Sequence, residues 1–133
     1  MEPDKRRYQR LDAAGLTVRV TSRESEAGLT SPCHPGLAVD FSRGGVCIVL
    51  ADKLTFDTVW CVELQFDGIV VAEALAVLQH RQQEDDHVSY RAGLCFHPDT
   101  ADEIRQLVEV EDRLRQRMAE STAILGQGHD SFH

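Results

Sequence analysis

Apolar and polar residues alternate in several short stretches of the chain, with the two-residue period of β-strands. The clearest stretch is residues 59–66, whose apolar face consists of Trp60, Val62, Leu64 and Phe66. Asp67-Gly68 follows it, a dipeptide typical of tight β-hairpins. The predicted strands are residues 16–20, 36–39, 46–50, 59–66, 69–80 and 88–96. Six strands separated by turns predict a mainly β fold, a six-stranded antiparallel β-barrel.

A C-terminal α-helix is predicted after the last strand. Thr100 and Glu103 have the spacing of a capping box, which marks the start of a helix. The residues predicted to share one apolar face are Ile104, Leu107, Leu114 and Met118. Glu111 interrupts this face, and the helix is expected to end near Ser121. Residues 122–133 are predicted to be a flexible tail.

The length of 133 residues suits one domain, predicted to span residues 1–121. The formal net charge is -8, which argues against binding DNA or RNA polymers through their phosphates. Positive charge is concentrated in residues 1–10, a segment expected to be flexible, at Lys5, Arg6, Arg7 and Arg10. A local basic cluster on an acidic protein favours a small anionic ligand.

The sequence contains no run of 18 apolar residues, so no membrane insertion is expected. The first ten residues carry charge without a following apolar stretch, unlike a secretory signal, and a cytoplasmic location is expected. None of the four cysteines shares a C-x-x-C spacing, so neither a disulfide framework nor a metal site is expected. A zinc site using Cys33 and His34 would lack the usual ligand spacing.

Known catalytic motifs are missing from the sequence. It has no glycine-rich phosphate loop, no G-x-S-x-G and no H-E-x-x-H. Asp85-Asp86 is a pair of carboxylates, but it falls in a predicted hairpin connection and is interpreted as a solvated turn. We therefore expect that the protein is not an enzyme and needs no cofactor.

Two short segments carry residues suited to binding. Arg6 and Arg10 form an R-x-x-x-R pattern, and guanidinium groups match phosphate oxygens with paired hydrogen bonds. Asp40-x-Ser42-x-x-Gly45 lies in a predicted turn between two strands. A carboxylate there can accept hydrogen bonds from the N1 and N2 hydrogens of guanine, and the glycines permit positive φ and close approach of a ligand.

The order and spacing of these segments resemble the PilZ family of cyclic di-GMP receptors. An R-x-x-x-R precedes the first strand, and D-x-S-x-x-G follows about thirty residues later. Residues 90–96, YRAGLCF, look like the family's last barrel strand, and a helix follows as in the family. The resemblance covers about residues 5–118 and implies a six-stranded barrel that binds cyclic di-GMP.

The resemblance also assigns roles to the basic segment. By this likeness Arg6 and Arg10 would contact the phosphates and guanine faces, and Lys5 or Arg7 would add positive charge. The chemistry of the arginine side chains agrees with these roles, because their planar, paired N–H donors match phosphate oxygens.

The resemblance assigns further roles to the predicted turn. Asp40 and Ser42 would bind a guanine edge, Arg43 would lie alongside, and Gly45 would keep the turn open. Some relatives carry an aromatic residue on the strand before the last hairpin, where it can stack on a base. The comparable stretch here is residues 78–81, Leu-Gln-His-Arg, in which His80 could stack weakly on a base but is expected to face solvent.

Three functions are compatible with these residues. The preferred one is a cyclic di-GMP receptor that acts through an unidentified protein partner. The second is an adaptor of the same fold with weak or lost nucleotide binding. The third is an unrelated small barrel that binds a flavin or another nucleotide.

Overall fold

The structure, a computed structural model, describes residues 9–23 and 32–130, with side chains described as far as Ser121. Three predicted binding residues, Lys5, Arg6 and Arg7, lie outside the described residues. The elements in these ranges are β1 (Leu11–Asp12), β2 (Leu16–Ser22), β3 (Cys33–Ser42), β4 (Gly45–Leu50), β5 (Val59–Phe66), β6 (Ile69–Gln83), β7 (Tyr90–Phe96) and α1 (Ala101–Asp130).

Six of the strands close into an antiparallel barrel in the order β3-β2-β5-β6-β7-β4, with β4 pairing back to β3. The predicted barrel is therefore confirmed. An additional strand, β1, lies beside the second half of β3, where Leu11 pairs with Phe41 and Asp12 pairs with Asp40. A two-residue strand is too short to show alternation, so the sequence did not reveal it.

The interior follows the predicted alternation most closely in β5, where Trp60, Val62, Leu64 and Phe66 are all buried. The hairpin after it is also confirmed, because Asp67 and Gly68 both adopt positive φ, 52° and 79°. Strand β4, whose sequence is a continuous apolar run after Gly45, is almost wholly buried. These strands place the hydrophobic core inside the barrel.

Strand β3 departs from the prediction because it contains a bulge between Ala38 and Asp40. The bulge breaks the alternation, so that Ala38 and Phe41, three positions apart, are both buried. The strand begins at Cys33 and runs to Ser42. The predicted turn over residues 40–45 is wrong in extent, because Asp40 and Ser42 are strand residues.

Helix α1 packs on β6 and β1. Its start is as predicted, since the Glu103 amide donates a hydrogen bond to Thr100 Oγ1 over 3.1 Å. The Glu103 carboxylate instead accepts from the amide of Leu75 over 3.4 Å, on β6. Next to it, Gln106 Oε1 accepts from the amide of Glu73 over 2.9 Å. The first turns of α1 therefore cover the amides of Glu73 and Leu75, which precede the point, Ala76, where β6 begins to pair with β7.

The buried face of α1 differs from the predicted one, since its core residues are Leu107, Val110 and Leu114. Ile104 and Met118, which were predicted to share this apolar face, are instead 51% and 44% exposed. Ile104 lies between Glu103 and Gln106, which both contact β6, yet its own side chain is mostly exposed. The backbone stays helical to Asp130 rather than ending near Ser121. Residues 122–125 contain neither glycine nor proline, so no stop signal ends the helix there.

Replacing Gly45 with alanine is expected to destabilise the barrel. Gly45 pairs with Cys95, and a Cβ atom there would lie 2.5 Å from the carbonyl oxygen of Leu94. Overpacking of this kind typically costs about 1–3 kcal/mol, because strand backbones must shift. Urea denaturation of Gly45→Ala measures the loss in the free energy of unfolding.

Gly93→Ala is the matched control for that change. The three atoms nearest to a Cβ atom at Gly93 would all belong to the ring of His80, a side chain that can rotate away. We expect Gly93→Ala to lose less stability than Gly45→Ala. Equal losses would show that close strand approach is not what requires glycine at Gly45.

Candidate functional site

Arg10 and Asp40, two residues predicted to bind ligand, meet at the barrel surface. Arg10 Nη1 lies 3.1 Å from Asp40 Oδ1, and the side chains are 28% and 34% exposed. The next residue, Leu11, is buried in the core with 2% exposure and fixes the backbone from which Arg10 extends. Pairing of β1 with β3 therefore positions a cation next to the carboxylate.

Asp40 keeps hydrogen-bonding capacity in this arrangement. Its Oδ1 atom is buried and accepts no hydrogen bond of good geometry from the part of the chain that the structure describes. Nearly all buried polar atoms in proteins have a hydrogen-bond partner, so an unsatisfied carboxylate oxygen at this position is unusual. A ligand with N–H donors is one group that could supply the missing bonds.

Ser42 and Gly45 build the turn that follows. The amide of Gly44 donates a hydrogen bond to Ser42 Oγ over 3.2 Å, and Ser42 is 7% exposed. Gly45 is the first residue of β4, and neither it nor Gly44 adopts positive φ. The expectation that these glycines supply positive φ was wrong. Close approach to the Leu94 carbonyl is what requires glycine at Gly45.

Arg43, at the tip of this turn, is engaged by helix α1. Its Nε and Nη2 atoms each lie 2.9 Å from Glu111 Oε1. The Glu111 side chain is 5% exposed, whereas that of Arg43 is 41% exposed. The glutamate that interrupts the apolar face of the helix is thus the buried partner of a residue in the motif.

Strand register places four residues in a row across the outer surface. Asp40 pairs with Cys47, Cys47 with Gly93, and Gly93 with His80. The His80 ring lies over Gly93, because a Cβ atom there would be 2.0 Å from His80 Nε2. His80 is exposed, as predicted. Sequence reasoning missed Cys47 and Gly93, since alternation gives the face of a residue but not its neighbours on other strands.

Arg91 is a second cation near this row. It lies on β7 two positions before Gly93 and pairs with Val49 of β4. Its Nη2 atom lies 3.2 Å from Glu84 Oε1, and its Nε atom is buried without a hydrogen-bond partner among the described residues. Sequence reasoning did not select Arg91. The basic residue in the strand-like sequence YRAGLCF was its only signal.

Burial raises the pKa of the Cys47 thiol, and Asp40 raises it further, while Arg91 and Arg10 oppose the shift. These charges therefore act on one small area of surface. On another part of the barrel, burial and a hydrogen bond to Glu73 raise the pKa of Cys61 to about 11. Both thiols favour the protonated form, which is a weak nucleophile.

Residues 9–23 and 32–130, which the structure describes, contain neither a metal-binding cluster nor a membrane-spanning helix. No group of three or more His, Cys, Asp or Glu side chains is placed there to hold a metal ion. Within the same ranges, no helix combines the length and apolarity needed to span a membrane.

Several solved structures resemble this fold. YcgR from Escherichia coli in complex with c-di-GMP aligns with a TM-score of 0.69 at 20% identity, covering 91% of this chain and 50% of that chain. The K. pneumonia MrkH–c-di-GMP complex aligns with a TM-score of 0.66 at 14% identity, covering 90% and 56%. Bacillus subtilis Inhibitor of motility (MotI/DgrA) aligns with a TM-score of 0.57 at 21% identity, covering 90% and 57%. This likeness shows the fold, and the chain spans about half the length of the YcgR chain.

Sequence comparison is more specific than structural likeness at these identities. No curated protein matches the chain in sequence. The family model described as PilZ domain matches residues 4–110. That range includes all seven described strands, the Arg10–Asp40 pair and the turn that carries Arg43. The chain belongs to the PilZ domain family.

Proposed function

We propose that the protein is a receptor for cyclic di-GMP. The observation that carries the proposal is the Arg10–Asp40 pair, which holds a phosphate-binding cation beside a buried carboxylate oxygen with unused acceptor capacity. Its family membership and the c-di-GMP bound to YcgR and MrkH support the same ligand. We propose that Lys5, Arg6 and Arg7 add positive charge to this site.

The ligand would satisfy both members of the pair. A phosphate of cyclic di-GMP would accept hydrogen bonds from the Arg10 guanidinium, and a guanine edge would donate N1 and N2 hydrogens to Asp40. Ser42 and Gly45 would contribute by holding the turn at the end of β3 in place. The ligand would then lie over the row formed by Asp40, Cys47, Gly93 and His80.

Signalling through a protein partner is part of this proposal. Ligand binding would change the surface around the basic segment and the turn, and a bacterial protein in the cytoplasm would recognise the changed surface. The chain spans about half of the YcgR chain. No catalytic step is assigned to the site.

One observation favours the second candidate, an adaptor with weak nucleotide binding. Both described motif arginines already have carboxylate partners, Arg10 with Asp40 and Arg43 with Glu111. A ligand must compete with these carboxylates for the guanidinium groups. The two candidates therefore differ in affinity rather than in the position of the site.

Isothermal titration calorimetry tests the proposed function with five nucleotides. The full chain would be titrated with cyclic di-GMP, cyclic di-AMP, cyclic AMP, GTP and FMN under identical salt conditions. We expect saturable binding of cyclic di-GMP and much weaker binding of the others. No detectable binding of cyclic di-GMP would favour the adaptor, and preferred binding of FMN would favour an unrelated nucleotide site.

Asp40→Ala is expected to reduce the preference for guanine over adenine. A hydrogen bond to a charged group contributes roughly 1.5–3 kcal/mol, so discrimination between cyclic di-GMP and cyclic di-AMP should fall about tenfold or more. Titration of both ligands into the variant measures the ratio of affinities.

Asp57→Ala is the matched control, since it removes the same charge from an exposed residue of the loop between β4 and β5. Its affinity ratio should equal that of the wild type. Unchanged discrimination in Asp40→Ala would rule out Asp40 as the residue that recognises the base.

A further inference from the structure

Arg43 and Glu111 connect the motif turn to the centre of helix α1. Two guanidinium nitrogens lie 2.9 Å from one carboxylate oxygen, and Glu111 is 3% exposed. A buried carboxylate depends on its cations, because solvent does not stabilise its charge, and losing Arg43 would leave Glu111 with the longer contact to Arg115. The pair is therefore sensitive to any change in the position of Arg43.

A second contact extends this connection towards Arg10. Arg115 Nη2 lies 4.0 Å from Glu111 Oε2, and Arg115 Nη1 donates a hydrogen bond to Gln9 Oε1 over 3.4 Å. Gln9 directly precedes Arg10 in the chain. The helix thus contacts both segments that contribute to the proposed site, the one before β1 and the one after β3.

The start of α1 is held by different contacts. Glu103 and Gln106 bind amides of β6, and Leu107 packs in the core. Loss of the Arg43–Glu111 pair would therefore affect the helix after its first turns and leave its attachment to β6 in place. This separation confines the effect to the part of α1 that lies near the proposed site.

We propose that Glu111 competes with the bound ligand for Arg43 and so sets the affinity of the site. This inference rests on the proposed function. Arg43 follows Asp40 by three residues, a backbone distance of roughly 10 Å, so one ligand anchored at Arg10 and Asp40 places anionic groups near the turn. A phosphate attracts Arg43 away from Glu111. Binding then weakens the hold on α1, and by linkage the Glu111–Arg43 pair weakens binding.

The consequence is opposite to that of an ordinary contact residue. Removing the Glu111 charge weakens its competition with the ligand for Arg43, so Glu111→Gln should bind cyclic di-GMP more tightly than the wild type. Coupling between sites is typically about fivefold or more, which is the gain expected here. Glutamine keeps the size and an acceptor oxygen, so the variant retains its packing against the barrel.

Two controls isolate Arg43 as the mediator. Glu109→Gln removes the same charge from an exposed residue on the same helix, whose partner is Arg113, and should leave the affinity unchanged. In an Arg43→Ala background, Glu111→Gln should give no gain. Calorimetry on the four proteins of this double-mutant cycle measures the coupling directly.

Hydrogen exchange in the wild-type protein provides a test that needs no variant. Amides of residues 108–118 should exchange faster with saturating cyclic di-GMP than without it, while residues 101–106 should not change. Binding without a gain in Glu111→Gln, or a gain that persists in Arg43→Ala, would overturn this inference alone. Unchanged exchange at residues 108–118 on binding would also overturn it. Absence of binding to the wild type and to Glu111→Gln would overturn the proposed function and this inference with it.

Discussion

Arg10→Ala is expected to weaken cyclic di-GMP binding about tenfold to a hundredfold, because each charge-assisted hydrogen bond contributes roughly 1.5–3 kcal/mol. Of the two arginines in the R-x-x-x-R pattern, the described residues include only Arg10. Its Nη1 atom lies 3.1 Å from Asp40 Oδ1. Its loss removes a phosphate donor and the counter-charge of the carboxylate that would bind guanine. Calorimetry with cyclic di-GMP measures the effect.

The fold should survive this change. Both side chains of the pair are partly exposed, and surface ion pairs contribute about 1 kcal/mol or less to stability. Urea denaturation should therefore give nearly the wild-type free energy of unfolding.

Two further variants make the Arg10 test specific. Arg105→Ala removes an equal charge from an exposed helix residue, 75% accessible, and should bind like the wild type. Arg10→Lys keeps the charge but loses the planar pair of donors, so its affinity should fall between those of wild type and Arg10→Ala. Wild-type affinity in Arg10→Ala would remove Arg10 from the site and leave binding to other residues.

The barrel could be predicted from sequence because apolar and polar residues alternate along its strands, with one face of each strand towards the core and the other towards solvent. Residues 59–66 gave the correct face at every position, and Asp67-Gly68 gave the turn. The prediction weakened where a local feature broke the period. The bulge at Val39 interrupted the alternation in β3, so the strand was predicted to end before Asp40 and Ser42, and β1 was too short to show any period.

The candidate site could be predicted only where the type and local spacing of single residues indicate a binding role. Arg10, Asp40 and Ser42 were identified from residue type and spacing, and the structure brings the first two together. The contact of Arg43 with Glu111 joins residues 68 positions apart, so no local pattern contains it. A glutamate within an apolar helical face was the available signal, because a buried charge requires a partner.

Packing and register explain the remaining differences. Ile104 and Met118 share a helical face with Leu107 and Leu114 in projection, but the helix residues that pack in the core are Leu107, Val110 and Leu114. Which side of the helix meets the barrel is decided by tertiary packing, and periodicity alone does not specify it. The row from Asp40 to His80 depends on register between four strands, which side-chain alternation does not specify. Long-range geometry of this kind is what the sequence could not supply.

The short strand β1 links the fold to the proposed site. Leu11 is buried in the core and pairs with Phe41, while its neighbours Arg10 and Gln9 contact Asp40 and Arg115. A two-residue strand has few hydrogen bonds of its own, so the buried leucine supplies most of its attachment. Arg10 is therefore positioned by a residue that faces away from the ligand.

Leu11→Ala is accordingly expected to lower both stability and binding. Truncating a buried leucine to alanine costs about 2–5 kcal/mol through lost burial and the cavity left behind, which should be measurable by urea denaturation. Release of β1 from β3 would also free Arg10 from its position beside Asp40. The affinity for cyclic di-GMP, measured where the variant is fully folded, should fall about as far as in Arg10→Ala.

Leu37→Ala is the matched control, because the same truncation falls on β3 at a side chain that is 64% exposed. It should change stability by about 0.5 kcal/mol or less, as surface substitutions usually do, and leave the affinity unchanged. A large loss of stability in Leu11→Ala together with wild-type affinity would contradict the role of β1 in positioning Arg10. The site would then depend on the turn after β3 and on the basic residues that precede Gln9.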